Sequence, residues 1–102
     1  MKVNDREVGF VWTVGAFCDY NDYVVANSGV SVARANVEKA AAMSREYSRI
    51  HAGTKPLTVE EINALPVYVM AEILAEVEKA ETEGSVRTVE TEEKKQKSAA
   101  RK

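Results

Sequence analysis

Cysteine and histidine are nearly absent from this chain. Cys18 is its single thiol and His51 its single imidazole, which excludes an intramolecular disulfide and any structural zinc site made from one copy. A reducing cytoplasm is the expected compartment. Neither sign of charge is in excess: 14 Lys plus Arg stand against 16 Asp plus Glu, a net charge of −2. Proteins that live on phosphate backbones carry a strongly basic balance, so nucleic acid is not expected as the main partner. Long apolar runs are missing as well. Nothing approaches the ~20 residues of a membrane span, and Met1-Lys2-Val3-Asn4-Asp5 is not a cationic stretch followed by an apolar one. No membrane partner is expected. The glycines Gly15, Gly29, Gly53 and Gly84 are isolated from one another, which leaves no Walker or dinucleotide-binding loop.

What is present fits one small domain. With 102 residues, 45% of them hydrophobic, the chain can bury one core but has little stability to spare for a deep cleft. Val8, Phe10 and Trp12 alternate with Glu7, Gly9 and Val11, and Asn4-Asp5-Arg6 supplies turn chemistry after Val3. This pattern predicts paired strands over residues 2 to 12, a short β-hairpin. A lone hairpin is marginal, so its apolar side must lie on helices.

Thr13 is placed to cap a first helix over 14 to 27, with Val14, Phe17, Cys18, Val24 and Val25 on its expected inner side and Asp19–Tyr23 as a stretch that can break it. Ser31 caps a second over 32 to 51, where Ala33, Val37, Ala40, Met43, Tyr47 and Ile50 form an apolar stripe. Arg34 with Glu38 and Glu46 with Arg49 have helix spacing for ion pairs. Thr58-Val59-Glu60-Glu61 reads as a capping box, and Pro66 interrupts the helix it opens. A last helix then covers 66 to 82, with Val69, Ile73, Val77 and Ala80 buried beside Met70 and Leu74.

The predicted class is therefore mostly α: a helical domain over 1–84 with an N-terminal hairpin, then a disordered charged tail over 85–102. Beyond Gly84 the only apolar residues are Val86, Val89, Ala99 and Ala100, too few for a core.

Each candidate for chemistry has a plainer reading. Cys18 beside Asp19 lacks any neighbouring charge to lower its thiol pKa, so a structural thiol outweighs a nucleophile. Asp19, Asn21 and Asp22 lack the glycine and terminal glutamate of a calcium loop. His51 at a helix end interacts with carbonyl dipoles. Tyr20, Tyr23 and Tyr47 could stack on bases, but no basic groove accompanies them. No catalytic residue, metal or cofactor is assigned. What remains is surface: Trp12, Tyr20, Tyr23, Met43, Tyr47, Tyr68 and Met70 are the candidate protein-interaction residues, with ordinary burial as the alternative for each.

The order of segments carries a resemblance. Val8-Gly9-Phe10-Val11-Trp12-Thr13-Val14-Gly15-Ala16-Phe17-Cys18-Asp19 is similar to the opening of tail assembly chaperones from long-tailed bacteriophages of Gram-positive hosts. Pro56-Leu57-Thr58-Val59-Glu60-Glu61-Ile62, Leu65-Pro66, an acidic amphipathic helix, Val86-Arg87-Thr88-Val89-Glu90 and a Lys-rich end resemble that family's second half. The resemblance implies a non-enzymatic scaffold that self-associates. Its copies bind the tape measure protein, keep it soluble, recruit tail tube subunits in the host cytoplasm and leave before the virion is finished. It also implies a longer product made by frameshifting near Glu93-Lys94-Lys95-Gln96-Lys97. The competing expectations are a small phage regulatory or inhibitory protein using the 66 to 82 helix as a decoy, and, last, a nucleic-acid adaptor acting through the Lys-rich tail.

Overall fold

A computed structural model describes residues 1–86. The elements in order are β1 (Lys2–Val3), β2 (Arg6–Glu7), α1 (Val14–Ala26), α2 (Val32–Ile50), α3 (Val59–Asn63) and α4 (Val67–Ser85). A mostly helical chain opened by a hairpin is therefore correct. The expected disordered tail lies, from residue 87 onward, outside the described residues.

The hairpin is shorter than the alternation over residues 2 to 12 predicts. Lys2 pairs with Glu7 and Val3 with Arg6, across a two-residue turn in which Asn4 and Asp5 both take positive φ, 52° and 64°, as tight hairpins require. The N-terminal ammonium donates to the Val8 carbonyl at 3.0 Å, and the Val8 amide donates to the Met1 carbonyl at 2.8 Å. Beyond Val8 the chain leaves the ladder and crosses α2 as an extended strap. The Val11 amide donates to the Met43 carbonyl at 3.3 Å, and Gly9 lies so close under the Tyr47 ring that a Cβ there would collide with it. The alternation is real, since Val3, Val8 and Phe10 are buried. Its partner beyond Val8 is a helix rather than a strand.

Thr13 caps α1, its hydroxyl accepting from the Ala16 amide at 3.2 Å while donating to Glu46 at 3.0 Å. The helix runs unbroken through Asp19–Tyr23. Most of its expected inner side faces outward: Val14, Phe17, Cys18 and Val25 are exposed, and of that set Val24 alone is half-buried, alongside buried Ala16 and half-buried Tyr20 and Tyr23. Ala16 lets the backbones approach closely, and the tyrosines bury their rings while their hydroxyls can reach the edge.

Ser31 caps α2 by accepting from the Arg34 amide at 3.0 Å. Ala40, Ala41, Ala42 and Met43 are buried at its centre, so α2 is the pillar on which the strap and other helices pack. Ala33 and Ile50, the outer members of the expected stripe, are exposed. The Glu46–Arg49 pair forms at 2.8 Å. The expected Arg34–Glu38 pair does not, because the Arg34 guanidinium reaches across to donate to Asn63 at 2.8 Å.

The capping box at Thr58 and Glu61 is present in both directions. Pro66 is the N-cap of α4, which buries Ile73 and Val77 and half-buries Val69, Met70, Leu74 and Ala80, as expected. The helix extends past the expected end at residue 82 to Ser85. In this added turn Gly84 rests directly on the backbone of Trp12, where a Cβ would strike the Trp12 carbonyl. Full burial of Met43, Leu57 and Ile73 gives the core its main apolar gain, about 1.5–3 kcal/mol for each side chain.

Candidate functional site

Two arrangements stand out on this fold, and they share Lys39. The first is an aromatic and acidic box. Trp12 ends the strap, held by Gly84 of α4, with its ring edge-on to Phe17 at 5.9 Å and to Tyr20 at 6.3 Å. Lys39 rises from α2 into this cluster. Its ammonium lies 4.7 Å from the Tyr20 ring centroid and 5.6 Å from that of Trp12, and it donates to Glu81 of α4 at 3.0 Å. Only 15% of the Lys39 side chain is exposed, so the cation is substantially desolvated and the rings and the carboxylate share its charge. The strap, α1, α2 and α4 are tied together at this one point.

The second arrangement is a trough between α2 and α4. Two adjoining cavities of about 500 Å³ each share Asn36 and Leu74 in their walls. One is mainly apolar, walled by Val32, Val37, Leu65, Val67 and Met70 with Asn63 beside them. The other leads on to Ala71, Ala75, Glu78, Glu81 and Lys39. Within the trough the two helices run in the same direction, since Val32 and Ala33 lie near Val67 while Lys39 lies near Glu81. Val67 is 86% and Val32 77% exposed, which the core does not explain. The trough follows α4 from Val67 to Glu81, about 21 Å at 1.5 Å per residue.

The interaction residues expected from the sequence separate into groups. Trp12 and Tyr20 meet in the Lys39 box, Met70 lines the trough, and Tyr68 is exposed on α4. Tyr23 is half-buried on α1. Tyr47 covers Gly9 and stacks on His51 with ring centroids 4.1 Å apart, a packing role rather than an open contact. Met43 is wholly buried and belongs to the core, so it offers no surface. Residues that the sequence reading missed are Val32, Leu65 and Val67 along the trough, and the outward strip of Val14, Phe17 and Val25, of which Phe17 is 51% exposed. A valine at the first helical position, directly after the cap residues Ser31 and Pro66, was the available signal for Val32 and Val67.

Among the described residues no group of His, Cys, Asp and Glu is arranged to hold a metal ion, and no helix is long and apolar enough to cross a membrane. Cys18 is exposed on α1. No family model, curated protein or solved structure matches the chain.

Proposed function

We propose that this chain is a phage tail assembly chaperone. It binds and solubilises the tape measure protein, brings tail tube subunits to it in the host cytoplasm, and departs before the virion is complete. The observation that carries the reading is the open trough between α2 and α4, mainly apolar at its Val32 and Val67 end. Its walls are helices, its length suits about four turns of a docked helix, and laying an amphipathic helix in such a groove is a recurring recognition mode.

A chain of 102 residues cannot envelop a long helical partner alone. Many copies along it can, because weak contacts repeated on one tethering partner reinforce one another. The outward strip of Val14, Phe17 and Val25 on α1 supports self-association between neighbouring copies. No step of this role needs a catalytic group or a cofactor. The resemblance to tail assembly chaperones suggests the identity of the partners, and the trough supports a helix-binding role.

The test is solubility. Co-expressed with the product of a neighbouring long, helix-rich reading frame, the chain should keep that product in solution, and Val67→Asp should return it to the pellet. Precipitation of the partner with the unaltered chain present would refute the reading.

A further inference from the structure

We infer that the trough is polarised, and that it takes an amphipathic helix whose apolar stripe ends in a basic turn. The inference rests on the helix-binding reading and adds the chemistry of the bound segment.

One end of the trough offers mainly apolar contact, through Val32, Leu65, Val67 and Met70, with the uncharged Asn36 and Asn63 as its polar wall residues. At the other end the walls carry Glu78 and Glu81 with Lys39. Lys39 does not neutralise that end for an incoming ligand. Its ammonium is bound to Glu81 at 3.0 Å and faces the Tyr20 and Trp12 rings. Glu78 has no ion-pair partner among the described residues and is exposed. Over Val67–Ser85, α4 carries five glutamates, Glu72, Glu76, Glu78, Glu81 and Glu83, against the single cation Lys79. The carbonyl end of the α4 dipole adds to the negative field there.

A docked helix therefore meets two environments about four turns apart. An apolar end turn over Glu78 would strip water from a carboxylate and give nothing back. An acidic end turn would set like charges together. A lysine or arginine there supplies the partner charge, and rim charges of this kind select the partner and its register more than they raise affinity. The apolar end provides most of the binding, and the acidic end decides which way round the segment lies.

The probe is a synthetic helical peptide of about 18 residues, long enough to span the trough, with leucines at i, i+3, i+4 and i+7 spacing and a lysine pair in its first or last turn. Glutamate replaces lysine in the matched control. Binding to the full chain is followed by fluorescence anisotropy at low salt. The better lysine peptide should bind about three- to fivefold more tightly than its glutamate control, the range open to an exposed charge pair. Glu78→Lys should cancel or reverse that preference, and Val67→Asp should weaken both peptides about tenfold through lost apolar contact. Equal affinities for the two peptides, or a preference untouched by Glu78→Lys, would overturn the inference. So would a dimer of the free protein that Val67→Asp converts to monomer, since the trough would then hold a second copy. A charge preference alongside an insoluble tape measure protein would leave the polarity standing and remove the chaperone role. A solubilised tape measure protein with no charge preference would do the opposite.

Discussion

Arg6 and Glu61 clasp the hairpin to the start of α3: the guanidinium donates to both carboxylate oxygens, at 2.9 and 3.0 Å. The second arginine nitrogen also donates to the Pro56 carbonyl at 2.9 Å. The same carboxylate accepts from the Thr58 amide at 2.9 Å, so one side chain completes a helix cap and anchors a strand 55 residues away in sequence.

This geometry predicts a specific response to acid. Hydrogen bonding from Arg6 first, and from the Thr58 amide second, lowers the Glu61 pKa from its ordinary 4.5 to about 2. A carboxylate depressed in the folded state contributes stability above its unfolded pKa and loses it as pH falls through the folded one. The thermal midpoint should therefore fall between about pH 4.5 and about pH 2, and Glu61→Gln should be less stable at neutral pH with a flatter profile in that window. Circular dichroism melts across the range check this. Parallel profiles for the two proteins would contradict it.

Gly84 gives a prediction in which the sign decides. In an exposed helix interior, Gly→Ala gains about 1 kcal/mol. Here the new Cβ would press on the Trp12 carbonyl, and overpacking against backbone costs about 1–3 kcal/mol. Gly84→Ala should lower the urea midpoint, whereas a raised midpoint would show that α4 does not rest on the strap.

Core and surface substitutions should separate cleanly. Met43→Glu and Ile73→Glu place unpaired charges at wholly buried positions and should abolish cooperative unfolding. Val25→Ser and Val67→Asp alter exposed positions and should change stability by no more than about 0.5 kcal/mol. Similar melting for all four would refute the assigned core.

Ser44 is the buried polar residue on which the α2–α3 connection depends, its hydroxyl accepting from the Leu57 amide at 2.8 Å. Ser44→Ala would strand that buried amide at a cost of about 1–3 kcal/mol, seen as faster hydrogen exchange at Leu57. Unchanged exchange would count against the bond.

The features legible in the sequence were those set by neighbours along the chain. Thr13, Ser31 and the Thr58–Glu61 box cap helices because capping needs only the next three residues, and Pro66 stops one helix and opens another for the same reason. The inner side of α4 also followed from its spacing. The inner side of α1 did not, because apolar residues surround that helix and spacing alone cannot choose among them. The choice is made from α2, where Glu46 receives Thr13 and Arg45 lies 3.6 Å from Asp19. The strap over residues 8 to 12 alternates like a strand, yet period two says only that one side is buried, not whether a strand or a helix buries it. The Lys39 box joins residues 12, 20, 39 and 81 and leaves no local trace. The trough is a gap between helices, and a gap has no sequence pattern of its own.

The most direct test of the proposed chaperone role is the stoichiometry of any complex formed on co-expression with the proposed partner, the tape measure protein, measured by size-exclusion chromatography with light scattering. A soluble particle holding many copies of this chain per tape measure molecule is expected, with a copy number that rises with tape measure length. A discrete monomer or dimer that elutes apart from the tape measure protein would contradict it.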